Sequence, residues 1–153
     1  MIKVKSHLYI WDSPEKINLN NIDYATVLSW QRFDDENNQI SMPNLVEKNS
    51  DYLRIKYLEW IYEIGNKKIN SKNIIELLKV RNNFSAWWMS LISEKSNFAK
   101  SDYVDEVIKL ILLDKLVKSN SVLKLQIYSN NQKLINVLRK YCNRKKIIFN
   151  AEK

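Results

Sequence analysis

Residues 124–150, KLQIYSNNQKLINVLRKYCNRKKIIFN, decide the fold class. Lys124–Ser129 is a short run of β-formers closed by Asn130-Asn131. From Asn130 to Cys142, Leu134, Ile135, Val137 and Leu138 recur at helical spacing. Lys146–Asn150 is again a strand-length apolar run. Strand, helix and strand joined by short connections make a βαβ unit, whose two strands are expected to lie parallel with a right-handed crossover.

Two earlier strands fit the same sheet. Ser6–Trp11 is apolar and ends at Asp12-Ser13-Pro14, and Thr26–Trp30 is followed by Gln31-Arg32. Helices are expected between them and the βαβ unit. Ser50 opens one that runs to Ile64, with Tyr52, Ile55, Leu58, Ile61 and Tyr62 as its stripe. Gly65, the only glycine, stands where a helix-ending residue of positive φ belongs. A short helix follows from Asn70 or Ser71, with Ile74, Ile75, Leu77 and Leu78 inward. Phe84, Trp87, Trp88, Leu91 and Ile92 fall at i, i+3, i+4, i+7 and i+8, which predicts another. On that helix Trp88 belongs to the core and Trp87 to the edge. Asp102–Lys118 is the most apolar helix, and it is expected to be largely buried through Val107, Leu110, Ile111 and Val117. Phe33 to Asn49 is polar and reads as a long loop. The whole chain, 1–153, is expected to form one α/β domain with a small, mainly parallel sheet flanked by helices.

Composition narrows the function. Hydrophobic residues make up 45% and charged residues 27%, ordinary for a soluble globular chain, and no run reaches the length of a membrane span. The single cysteine, Cys142, rules out an internal disulfide and suits a reducing cytoplasm. The net charge of +8 invites a polyanion: nucleic acid, an anionic membrane touched peripherally, or a phosphorylated donor. Only Arg139–Lys146, RKYCNRKK, is a compact basic cluster, and it is read as a solvated helix end and loop ahead of a binding patch.

One glycine cannot build a phosphate cradle, and one histidine with one cysteine cannot build a zinc site or a His-dependent triad. No cofactor and no metal are expected. His7, at the start of the first strand, is read as structural. The acidic run Asp34-Asp35-Glu36 is read as solvated rather than as a cation site. A ligand site in an open α/β sheet lies beyond the carboxyl ends of the strands. Those positions hold Asp12 and Ser13, Gln31 and Arg32, and Ser129, Asn130 and Asn131. Their carboxylate, amide, hydroxyl and guanidinium groups suit a sugar or a phosphate, and the same residue types also serve as caps and turn formers, Ser129 as the N-cap of its helix.

Three segments, LEWIYEIG, FSAWWMSLISEKSNFAKSDYVDEVIKLILLDKLV and KLQIYSNNQKLINVLRKY, resemble the amino-terminal region of bacterial surface-carbohydrate biosynthesis proteins, transferases encoded in O-antigen or capsule loci. The likeness covers roughly residues 50–142 and is most specific at Trp87-Trp88 with Ser90, Glu94-Lys95-Ser96 and Lys100-Ser101. The family resembles GT-B-like glycosyltransferases, in which two Rossmann-like domains face each other across a cleft. The resemblance implies that this chain corresponds to the first, Rossmann-like half. That half contributes acceptor-side contacts, with the nucleotide-sugar held by a second domain that these residues would not supply.

On that reading Glu94, beside an apolar wall, is the candidate general base toward an acceptor hydroxyl. Trp87, Lys95 and Ser96 join the strand-end residues as candidate substrate contacts. An exposed helix terminus accounts for Glu94, Lys95 and Ser96 as well, and a core role accounts for the Trp pair. Two other readings stand beside this one. The first is a non-catalytic partner-binding fragment. The second is a basic nucleic-acid-binding module, disfavoured by the dispersed lysines and the lack of a binding motif.

Overall fold

A computed structural model of the chain describes residues 4–17, 22, 25–33, 39–90, 92–93 and 102–152. The chain divides into two compact units, one formed by Met1–Lys48 with Leu112–Lys153, the other by Asn49–Ile111.

The first unit is built on a five-stranded sheet of β1 (His7–Asp12), β2 (Thr26–Ser29), β3 (Gln39–Ser41), β8 (Lys124–Ser129) and β9 (Ile148–Glu152). Its order is β3-β2-β1-β8-β9, and every neighbouring pair is parallel. The α/β class and the parallel βαβ unit expected from residues 124–150 are therefore present, in a Rossmann-like arrangement with helices flanking the sheet. β3 was not expected. It lies in the polar stretch read as a loop, which also contains helix α1 (Met42–Lys48). Three residues, Gln39-Ile40-Ser41, are too few to show a period, and only pairing along β2 makes them a strand.

Alternation sorts the central strands into two faces. Leu8, Ile10, Leu125 and Ile127 are fully buried on one. On the other, Tyr9 and Val27 form a cluster with Ala25, against which Trp11, Ile17, Ile22 and Tyr128 pack. Helix α5 (Gln132–Lys145) lies on β8 and β9 and buries Leu134, Ile135, Leu138 and Cys142. Val137, expected among its apolar set, is exposed. The N-cap is Asn131, whose side chain accepts from the backbone N–H of Lys133 and Leu134, so Ser129 is not the cap. Burial raises the Cys142 thiol to about 11, which fits a packed side chain rather than a nucleophile.

Helix α4 (Asp102–Asn120) buries Val104, Ile108, Leu112, Leu113, Leu116 and Val117. Of the residues expected inside, Val117 is buried, whereas Val107, Leu110 and Ile111 are half-buried. Near its end, Asp114 accepts from the Tyr141 hydroxyl at 2.9 Å and pairs with Lys118 at 2.5 Å and Lys145 at 3.4 Å. Burial pushes the Asp114 carboxyl up, but Lys118, Tyr141 and Lys145 together outweigh it and leave the group below its ordinary value of 3.8. A depressed carboxylate stabilises the fold above its unfolded pKa and loses that contribution as pH falls through the folded one. Asp114→Asn should therefore flatten the loss of stability below pH 3.8 in urea titrations, by less than about 1 kcal/mol because the pair is partly screened.

The second unit holds helix α2 (Ser50–Gly65), a β4–β5 hairpin (Lys68–Ile69 and Lys72–Asn73), helix α3 (Ile74–Leu77), a β6–β7 hairpin (Lys79–Arg81 and Phe84–Ser85) and a 3-10 turn, Ala86–Met89. Asn70 and Ser71, between β4 and β5, both have positive φ, as a two-residue hairpin loop of type I′ demands. Asn73 caps α3 with Glu76 in a reciprocal capping box. Leu77 and Leu78, expected inward, are exposed.

Three further expectations fail in this unit. Residues 84–89 are a strand and a 3-10 turn, not the start of a long helix, because Ser85 is extended and its hydroxyl accepts from Trp87 N–H. The α2 stripe runs through Leu53, Tyr57, Ile61 and Gly65, leaving Ile55, Leu58 and Tyr62 exposed. Gly65 is also not a positive-φ residue. It is the last residue of α2, and a Cβ there would stand 2.7 Å from Trp87 Nε1 and 3.1 Å from Ile75. Glycine is needed for close approach, not for backbone freedom.

Candidate switch-point site

In the order β3-β2-β1-β8-β9 the chain proceeds outward from β1 in one direction and from β8 in the other. The topological switch point thus lies between β1 and β8, where open α/β sheets form their ligand crevice at the carboxyl ends. The last register pair of these two strands is Asp12 and Ser129.

Asp12 is 9% exposed and Ser129 0%. Ser129 Oγ donates to Asp12 Oδ2 at 2.5 Å, and Gln31 Nε2 donates to Asp12 Oδ1 at 2.6 Å. Ser129 Oγ in turn accepts from Asn131 N–H at 2.9 Å, which ties the cluster to the turn that opens α5. A carboxylate offers about four acceptor positions, so two remain on Asp12 beyond these donors. Arg32 reaches the Pro14 carbonyl at 3.4 Å, and Ser13 Oγ accepts from Glu15 N–H at 3.2 Å, so both help to shape the β1 turn. Asn130 is exposed in the bend after β8.

The strand-end residues picked from sequence therefore converge: Asp12, Gln31 and Ser129 are directly bonded, and Ser13 and Arg32 hold the adjoining turn. The others do not join them. Trp87 belongs to the second unit and is 5% exposed, whereas Trp88 is 48% exposed. The expected assignment is thus reversed, and Trp87 is a core residue rather than the wall of a cleft. Glu94, Lys95 and Ser96 lie outside the described residues, as do Asp34, Asp35 and Glu36.

Residues missed by sequence reasoning lie at the same strand ends but on the opposite face of the sheet from Asp12 and Ser129. Trp11 and Tyr128, one position before Asp12 and Ser129, stack with ring centroids 4.3 Å apart, and Trp11 Nε1 donates to the Glu15 carbonyl at 2.7 Å. Ser29 and Ser41 end β2 and β3 in register with Trp11. Ser41 Oγ donates to the Arg32 carbonyl at 2.6 Å, while Ser29 Oγ is wholly buried and has no hydrogen-bond partner among the described residues. The signal was the repeated aromatic-polar ending, Ile10-Trp11-Asp12 and Ile127-Tyr128-Ser129.

Other candidate chemistry is weaker. Among the described residues no group of three or more His, Cys, Asp or Glu is placed to hold a metal, and no helix is long and apolar enough to cross a membrane. Part of the RKYCNRKK cluster is engaged internally: Lys145 with Asp114, and Arg139 over the Phe149 ring at 5.8 Å. His7 lies at the amino end of β1, away from the crevice. Burial, then Lys124, lowers its pKa. Comparison with protein-family models, with curated proteins and with solved structures finds no match.

Proposed function

We propose that this chain is the acceptor-side α/β domain of a glycosyltransferase-like protein of bacterial surface-polysaccharide synthesis, and that its switch-point cluster grips hydroxyl groups of a carbohydrate acceptor. The observation that carries this reading is the Asp12 carboxylate, fixed by Gln31 and Ser129 at the carboxyl ends of the two central strands. A carboxylate with acceptor positions to spare takes O–H donors in charge-assisted hydrogen bonds. The stacked Trp11–Tyr128 pair, on the opposite face of the same strand ends, ties the two central strands together and helps to hold Asp12 and Ser129 in register. Asp12 is assigned to binding and orientation. Nucleotide-sugar contacts are assigned to a partner domain, in keeping with the resemblance of residues 50–142.

Saturation-transfer NMR of the 153-residue chain with a panel of mono- and disaccharides tests this. Sugar ring protons should receive saturation, and Asp12→Asn should weaken binding at least about tenfold, the worth of one hydrogen bond to a charged group. With a uridine-diphosphate sugar, the sugar protons should respond and the uracil protons should not. No saccharide signal, or equal binding by Asp12→Asn, would overturn the assignment.

A further inference from the structure

The second unit carries a surface that the sugar-site reading does not use. Leu77, Leu78, Val80, Phe84, Trp88 and Met89 are all exposed, Val80 at 65% and Met89 at 71%. They lie on α3, the β6–β7 hairpin and the 3-10 turn, which are knit together by Ala86 N–H donating to the Leu78 carbonyl at 2.9 Å and by Ser85 Oγ donating to the Ile75 carbonyl at 2.7 Å. Six large apolar side chains exposed within thirteen residues of chain mark an interaction site rather than scattered single exposure.

Charge indicates the occupant. The same segment, residues 66–89, carries Lys67, Lys68, Lys72, Lys79 and Arg81 against a single carboxylate, Glu76. Among the described residues none of these five cations is in an ion pair. Glu76 is drawn back onto its own helix, accepting from Asn73 N–H at 3.0 Å. Exposed tryptophan, phenylalanine and methionine in one short segment with four lysines and an arginine, Arg81 directly across the hairpin from Phe84, match an anionic bilayer surface: the apolar groups enter the headgroup–acyl boundary and the cations meet lipid phosphates. A protein partner with an apolar face would not by itself require the cations.

We propose that the exposed apolar and basic side chains of the 66–89 segment dock the chain peripherally on an anionic lipid bilayer. The contact is independent of the Asp12 cluster and goes beyond the proposed sugar site. Flotation of the full chain with phosphatidylcholine vesicles, with and without phosphatidylglycerol, tests it. Binding should be at least about tenfold tighter to the anionic vesicles. A Val80→Ser, Met89→Ser double variant and a Lys79→Glu, Arg81→Glu double variant should each lose about tenfold, while circular dichroism melts show both folded. Lipids brominated near the headgroup should quench tryptophan emission, and Trp88→Phe should remove most of that quenching. Asp12→Asn should float like the parent chain, so failure of the sugar reading leaves this result standing. Equal binding to neutral and anionic vesicles, or unchanged binding by folded variants, overturns the proposal. So does a dimer in sedimentation that the Val80→Ser, Met89→Ser variant dissolves, because a second copy would then cover these side chains.

Discussion

Trp87→Ala is expected to cost about 3–5 kcal/mol, the range for emptying a buried tryptophan site, whereas Trp88→Ala is expected to cost less than about 1 kcal/mol. The two residues are adjacent, yet one is 5% and the other 48% exposed. Trp87 sits over Gly65 and shares the interior of its unit with Leu53, Tyr57 and Ile61. Its Nε1 has no hydrogen-bond partner among the described residues, so its contribution is packing rather than hydrogen bonding. Gly65→Ala should act in the same direction, since its new methyl would meet that indole nitrogen at 2.7 Å. Urea denaturation of the three variants followed by circular dichroism decides the matter. Equal losses for Trp87→Ala and Trp88→Ala would contradict the placement of the pair.

Asp12→Ala should cost about 3–5 kcal/mol, because it removes two hydrogen bonds to a charged acceptor, each worth about 1.5–3 kcal/mol, less what the freed carboxylate burial returns. It also leaves the fully buried Ser129 hydroxyl without its acceptor. Asp12→Asn should cost less, since one amide oxygen still accepts, while its NH2 faces either Gln31 Nε2 or Ser129 Oγ. A double-mutant cycle with Ser129→Ala should give a coupling of about 0.5–3 kcal/mol, as for residues in one network. Additive losses would mean that the 2.5 Å contact contributes nothing specific. Melts report this structural role and saccharide NMR reports the binding role, so the two are separable on the same variants.

The sheet was legible because its strands are apolar runs with clear turn signals, and because Lys124–Ser129 and the helix after it carry two distinct periods. The strand ends follow from the strands and their turn signals, and Asp12, Gln31 and Ser129 stand at those ends in the sequence itself. The second unit was not legible for a physical reason. Spacing of i, i+3 and i+4 identifies a helical face only if the segment is helical, and Phe84–Met89 reproduces that spacing across a strand and a 3-10 turn. The buried stripe of α2 ends on Gly65, which has no side chain to announce it. The Trp pair was inverted because a wrong period assigns the wrong face. β3 escaped because its identity depends on β2, a partner outside its own sequence window.

The sheet unit is discontinuous along the chain: Asn49–Ile111 intervenes between the segments that supply β3 and β8. Its central contact, Asp12 with Ser129, spans 117 positions. During synthesis from the amino terminus, β1, β2 and β3 leave the ribosome long before the strand that pairs with the open edge of β1. The intervening unit is continuous along the chain and compact in itself, so it can close in that interval. Three parallel strands with one uncovered central edge must then wait for β8, which makes the nascent chain vulnerable to edge pairing with a neighbour until residue 129 emerges. Slow translation between α4 and β8 would lengthen that exposure, and the final strands, once released, complete the crevice and shield the edge in the same event.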